Sequence, residues 1–159
     1  SPNVELAKGA TLKVSDGIVV DELLKTSSPN VYAAEDVARF FNPALNKQLR
    51  VEHEDNANTM GRAAGRNMAG ASEPYTHLPF FYSDLFESGY EADGEIDARL
   101  ETVSKWKELF REGIVYYLRA GTVRGVLLWN VWEKVEKARA LIIEGRTFTL
   151  AELDAAIPI

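Results

Sequence analysis

Two apolar runs near the end of the chain constrain its fold more than any other feature. Gly113-Ile114-Val115-Tyr116-Tyr117-Leu118 and Val123-Arg124-Gly125-Val126-Leu127-Leu128-Trp129 are rich in β-branched and aromatic residues, with only Arg119-Ala120-Gly121-Thr122 between them. Runs of this composition joined by a short Gly-containing connection predict an antiparallel hairpin. A lone hairpin is marginal in water, so it needs further strands and a cover for its apolar face. The neighbouring sequence supplies both. Phe80-Phe81-Tyr82-Ser83 is strand-like, and Tyr90 to Ile96 alternates around acidic residues. Val131, Val135, Ala138 and Ile142 recur at helical spacing over 131–143. Asn130 with Glu133 predicts a capping box at the start of that helix, and Gly145 can end it. Thr149 with Glu152 repeats the capping pattern for a short last helix. Strands followed by helices predict an α+β domain, an antiparallel sheet with helices on one face.

The first half is patterned differently. Val4 to Ala7 begins a short helix, and Gly17-Ile18-Val19-Val20, entered through Asp16, reads as a strand. After the turn at Ser27-Ser28-Pro29-Asn30, Val31-Tyr32-Ala33-Ala34 is wholly apolar and suits a strand buried on both faces, with Asp36 where that strand ends. A helix is predicted over 55–69, where Ala57, Met60, Gly61, Ala64 and Met68 share a face. Glycines inside it cost about 1 kcal/mol each against Ala, and small residues at this spacing permit close packing. The small, polar stretch Gly70-Ala71-Ser72-Glu73-Pro74 reads as a domain edge, which divides the chain into 1–70 and 71–159.

Composition narrows the function. Eighteen Lys plus Arg against 24 Asp plus Glu give a net charge of −6, which argues against a nucleic-acid binder. No apolar run reaches the ~18 residues of a membrane span, and no basic-then-apolar start marks a signal peptide. The expectation is therefore no membrane association and a cytoplasmic location. Cys is absent, so the chain offers no disulfide, thiolate nucleophile or Cys-held metal. His77 lies 24 positions from His53, outside any metal-ligand pattern, and no metal site is expected. Gly-x-Gly-x-x-Gly, phosphate-loop and nucleophile-elbow motifs are all missing, so no catalytic residue is assigned.

Three positions remain as candidates for ligand contact in the first half. Asp36 can accept hydrogen bonds from ligand hydroxyls outside a sheet edge, or it can cap a helical turn at 37–41. Glu52 and His53 precede the Gly-containing helix. Its N-terminus carries about half a positive charge and suits an anionic ring edge. His53 offers a flat platform or a proton donor there, or is a surface residue between two Glu. The aromatic cluster Phe80, Phe81 and Tyr82 with Trp106, Trp129 and Trp132 can serve as core, as an interface or as cover for a ring.

Taken together, these segments resemble the C-terminal part of FAD-dependent pyridine-nucleotide oxidoreductases, in particular apoptosis-inducing factor and the ferredoxin-reductase-like enzymes. Ser1-Pro2-Asn3 resembles the family's Pro-Asn segment, and Val31-Tyr32-Ala33-Ala34-Glu35-Asp36-Val37-Ala38 resembles its second FAD motif. Arg50-Val51-Glu52-His53 with Asn56-Ala57 and Gly61-Arg62-Ala63-Ala64-Gly65 resembles the segment whose helix points at the flavin ring. Pro79-Phe80-Phe81-Tyr82-Ser83-Asp84-Leu85 and Gly125-Val126-Leu127-Leu128-Trp129-Asn130-Val131-Trp132 resemble the entry and the last strand of the family's C-terminal domain.

The resemblance implies that Asp36, Glu52, His53 and Tyr82 contact FAD in a larger parent enzyme that takes electrons from NADH or NADPH. It implies that 1–70 is the end of an α/β FAD-binding domain and that 71–159 is the interface or dimerisation domain. Partners would then be a second copy and a redox acceptor protein. Glu35 stands where the family carries Gly, and both Gly-rich dinucleotide motifs are missing from these residues. The chain by itself is accordingly expected to bind no cofactor and to be inactive. The rival reading is a non-catalytic dimerisation or partner-docking module.

Overall fold

The chain divides at Pro79 in the computed structural model, which describes residues 1–159: Ser1–Pro79 form one unit and Phe80–Ile159 the other. This boundary lies beyond the one drawn at 70/71 from composition. The reason is that the polar Pro-containing stretch is followed by an anchor. Tyr75 is buried, meets the Phe40 ring edge-on at 5.3 Å, and donates its hydroxyl to Asn56 Oδ1 at 3.0 Å. Asn67 Oδ1 accepts from the Glu73 amide at 2.8 Å, and Asn67 Nδ2 donates to the Glu73 carbonyl at 2.9 Å. Residues 71–79 therefore belong to the first unit.

That unit contains α1 (Glu5–Gly9), β1 (Val14–Ser15), β2 (Gly17–Val19), a 3-10 turn (Glu35–Val37), β3 (Ala38–Asn42), β4 (Lys47–Leu49) and α2 (Glu54–Met68). The sheet order is β1-β2-β3-β4, with β2 and β3 parallel and the outer pairs antiparallel. Ala38, Phe40 and Asn42 point inward along β3 while Phe41 is exposed, the two-residue period of a half-buried strand. Met60, Ala63 and Ala64 of α2 pack with Val20, Leu24, Ala38, Phe40 and Tyr75.

Two expectations for this half are corrected. Val31–Ala34 is not a strand buried on both faces. Val31 is 40% exposed, and the segment makes only a bridge, Tyr32 to Lys25, because its backbone groups bond back to residues 24–26. The parallel strand is β3, so Asp36 precedes a strand rather than ending one. The helix face also differs. Met68 is exposed, and nothing lies within 4 Å of where a Cβ on Gly65 would stand, while Asn56 and Asn67 are buried. Those polar side chains are tolerated inside because each finds partners: Asn56 with Tyr75, and Asn67 with Leu23 and Glu73.

The second unit is α+β. Strands β5 (Phe80–Leu85), β6 (Ser88–Gly94), β7 (Glu101–Glu108), β8 (Glu112–Arg119) and β9 (Thr122–Trp129) form one antiparallel sheet of order β5-β6-β9-β8-β7. The predicted hairpin is β8–β9, turning at Ala120-Gly121, where both residues have positive φ. Ile114, Tyr116, Leu118, Val126 and Leu128 form the buried side of the sheet. The helices α3 (Val135–Glu144) and α4 (Leu150–Ala156) add Ala138, Leu141, Ile142 and Leu153 to the buried set. Burial pushes the Tyr116 hydroxyl up to about 12, and it donates to the Leu153 carbonyl at 3.0 Å.

Thr149 and Glu152 form the reciprocal capping box, and Gly145 ends α3 with φ of 62°. The box at Asn130 and Glu133 does not form. Asn130 Oδ1 instead accepts from the Gly89 amide at 2.7 Å, and its Nδ2 donates to the Arg111 carbonyl at 2.8 Å. It ties two hairpin ends together, and α3 starts later, behind Lys134.

Candidate functional site

Two of the three residues singled out in the first half, Asp36 and Glu52, meet at one groove of about 680 Å³. Leu6, Ile18, Val31, Tyr32 and Val37 supply its apolar lining, and Asp36 and Glu52 its two carboxylates. Leu6 is 89% exposed, so the groove is an open apolar surface on this unit rather than a closed core.

Asp36 owes its place to an unusual turn. Glu35 before it has φ of 68°, in the left-handed region that favours Gly. The Glu35 amide donates to Met60 Sδ at 3.1 Å, and its carboxylate lies over α2, with Oε1 3.4 Å from where a Cβ on Gly61 would stand. The turn therefore sends the Glu35 side chain against the helix and leaves Asp36 at the groove. No hydrogen bond or ion pair within the chain engages the Asp36 carboxylate, and neither Asp36 nor Val37 caps a helix, since β3 follows at once.

Glu52 is held by Arg50, whose Nη1 makes a very short contact to Glu52 Oε1. The hydrogen bond and the charge of Arg50 hold the Glu52 carboxyl below the usual carboxylate range. Arg50 also reaches Asp16 Oδ1 through Nε at 3.2 Å and the Asp36 carbonyl through Nη1 at 2.9 Å. In the sequence, Arg50 lies within the Arg50-Val51-Glu52-His53 motif with no role of its own. A charged residue two positions before an acid carries no spacing signal, because the contacts that matter come from residues far along the chain.

His53 is exposed and occupies the N-cap of α2 without a side-chain capping bond. Glu54 and Asp55 fill the first turn, so the positive end of the helix already faces carboxylates. His53 is not among the groove-lining residues. His77 has a structural partner: its Nε2 lies 2.6 Å from Asp55 Oδ2. No group of three or more His, Asp or Glu side chains is arranged to hold a metal ion. Tyr82 belongs to the second unit, on β5, half exposed and stacked on Phe80 at 6.3 Å. The structure thus brings Asp36 and Glu52 together, keeps His53 next to them in the chain, and carries Tyr82 on the other unit.

Comparison with known proteins supplies the frame for this site. The family model described as "Apoptosis-inducing factor, mitochondrion-associated, C-term" matches residues 64–109 and 104–144. Apoptosis-inducing factor 1, mitochondrial, of Dictyostelium discoideum is 37% identical over 98% of this chain and 32% of its own length. The ferredoxin–NAD(+) reductase component of the anthranilate 1,2-dioxygenase system of Burkholderia cepacia is 32% identical over 91% of this chain and 36% of its own. Among solved structures, the ferredoxin reductase for the CYP199A2 system from Rhodopseudomonas palustris superposes with a TM-score of 0.82 at 28% identity, over 93% of this chain and 37% of that one. A chain of the covalent putidaredoxin reductase–putidaredoxin complex gives 0.84 at 26% identity, over 96% of this chain and 37% of that one. The chain thus spans about a third of the length of the relatives it matches. The five-stranded sheet with its helices is the C-terminal domain of ferredoxin-reductase-like flavoproteins. By its matched residues and its fold, this chain belongs to the apoptosis-inducing factor C-terminal family, among the FAD-dependent pyridine-nucleotide oxidoreductases.

Proposed function

We propose that this chain is the C-terminal portion of an FAD-dependent NAD(P)H oxidoreductase and supplies the flavin-side contacts of the parent enzyme. The observation that carries the reading is the Asp36 carboxylate, which stands unpartnered in the lining of an apolar groove and shares that groove with Glu52. An unengaged acceptor beside an apolar wall suits a ligand with a flat apolar body and a hydroxylated chain, which fits a flavin. FAD, when bound, takes a hydride from NADH or NADPH and passes electrons to an acceptor.

The chain's own residues bind and orient. Asp36 accepts hydrogen bonds from ribityl hydroxyls. Glu52, kept ionised by Arg50, and His53 stand at the ring side, and Tyr82 is carried over as an aromatic contact by the family resemblance alone. No residue here is assigned a bond-making role. The chain alone, without Gly-rich phosphate-binding turns, binds FAD weakly and does not oxidise NADH. Fluorescence titration with FAD and an NADH assay with an artificial acceptor test this. Micromolar binding with turnover by these residues alone would overturn it.

The second reading, a dimerisation or partner-docking module, draws on the second unit. Leu85, Phe86, Leu109 and Phe110 at its hairpin ends are all strongly exposed, Phe86 completely. Exposed apolar clusters mark interaction surfaces. Self-association and a redox acceptor protein remain the partners of this reading, and light scattering at high micromolar concentration tests the first. No helix is long and apolar enough to cross a membrane. Fractionation decides between the cytoplasm and mitochondria, the location carried in the Dictyostelium relative's name.

A further inference from the structure

Arg50 joins three segments that are distant in the chain. Its guanidinium reaches the Asp16 carboxylate before β2, the Asp36 carbonyl in the 3-10 turn, and the Glu52 carboxylate before α2. Its side chain is only 15% exposed, whereas those of Asp16 and Glu52 are 63% and 55% exposed. The stem of Arg50 passes over Gly17, where a Cβ would stand 2.8 Å from Arg50 Cδ and 2.6 Å from the Val37 carbonyl oxygen. Gly17 also has φ of 103°, so Gly is required there on two counts. The protein has made room for this side chain.

The turn that Arg50 grips is a strained one. Glu35 sits in the left-handed region, and a non-Gly residue persists there only when its surroundings over-determine it. Apart from Arg50, the strained residue is held by the Ala38 amide, which donates to the Glu35 carbonyl within the turn, and by its own amide, which donates to Met60 Sδ, a weak acceptor. The bond from Arg50 to the Asp36 carbonyl is charge-assisted and therefore about twice as strong as a neutral one. Lys could not replace it, because a single ammonium has no planar fork to serve several acceptors at once.

We propose that Arg50 is a positioning residue: it fixes the strained Glu35–Asp36 turn so that the Asp36 carboxylate is presented at the groove. The inference rests on the flavin-side reading of Asp36 for its functional consequence and on Glu35 and Gly17 for its structural basis. It makes Arg50 and Glu35 energetically coupled. With Gly at position 35 the turn relaxes and Arg50 has less to hold.

The test is amide hydrogen exchange on this chain for Arg50→Ala, Arg50→Lys, Glu35→Gly and the double variant Glu35→Gly/Arg50→Ala. Arg50→Ala is expected to speed exchange at residues 35–37 about tenfold while the α2 amides at 60–64 keep their protection. Arg50→Lys gives a smaller increase, and Glu35→Gly restores protection in the double variant. If Arg50→Ala does not fold, Arg50→Lys with and without Glu35→Gly reads the same coupling. In the protein expressed from its complete reading frame, Arg50→Ala weakens FAD binding about tenfold alone and by less than twofold in an Asp36→Ala background. Unchanged exchange at 35–37, or no rescue by Glu35→Gly, overturns the positioning role. Altered exchange with FAD affinity untouched keeps the latch and overturns the flavin-side reading of Asp36 instead.

Discussion

The two units reach stability by different means. In the second, the buried set is apolar apart from Asp93, which pairs with Arg139 at 3.3 Å, and neighbouring strands in sequence are mostly neighbours in space. In the first, short strands are tied by polar side chains: Asn67 to residues 23 and 73, Asn56 to Tyr75, and Arg50 to three segments. Local antiparallel pairing needs little besides pattern, because loop closure between adjacent strands costs little. A mixed sheet with strands of two to five residues cannot bury enough apolar area on its own, so side-chain hydrogen bonds fix its shape. The first unit is shaped to present groups, and the second to hold itself together.

The sharpest way to break this contrast is to empty the core of the first unit. Phe40→Ala removes a side chain that is 1% exposed and should cost about 3–5 kcal/mol. Thermal unfolding followed by tryptophan fluorescence should show the second unit melting as before, since Trp106, Trp129 and Trp132 all lie there. A shifted tryptophan transition would make the units one cooperative block. Limited proteolysis of the same variant should leave a fragment that begins near Phe80.

Asn67→Ala comes next. It removes three hydrogen bonds, two of them to Glu73, and should cost about 2–3 kcal/mol. Cleavage by protease within 71–79 should rise before any loss of helix by circular dichroism. Equal protection of that segment would mean that Tyr75 alone anchors it.

How much of this was legible follows from the same contrast. The β8–β9 hairpin, the Thr149–Glu152 box and the stop at Gly145 were readable because each is encoded within a few residues. Val31–Ala34 misled because an apolar run without alternation does not distinguish a central strand from a bridge pinned to a neighbouring loop. The box at Asn130 failed because Gly89 and Arg111, distant in sequence, compete for its side chain. Of the candidate site, Asp36 and Glu52 were singled out both from their places in the pattern and from family resemblance, and the fold puts both in the lining of one groove. Arg50 was missed because its partners at 16, 36 and 52 come together only in the fold.

Two smaller effects refine the comparison. Glu35→Gly relieves a left-handed φ and should stabilise the first unit by about 1 kcal/mol, measured by urea unfolding. No gain would mean that the contacts of Glu35 with α2 offset the strain. In the second unit, burial pushes the Glu91 carboxyl above its ordinary 4.5, and Glu133 and Asp84 repel its charge. Its Oε2 is buried without a hydrogen bond. Because the folded pKa is raised, this contribution to stability is complete below the unfolded value and is lost as pH rises through the folded one. Glu91→Gln should therefore match the wild type in mildly acidic solution and exceed it at neutral pH. The reverse order in melting temperatures would contradict the burial argument.

The central claim is that Asp36 serves a flavin. The direct measurement is the dissociation constant for FAD of the protein expressed from its complete reading frame, with and without Asp36→Ala. The account predicts a yellow wild-type protein and binding weakened by about tenfold or more in the variant, the loss of charge-assisted hydrogen bonds. Equal affinity in the two proteins, or a wild type that holds no flavin, would contradict it.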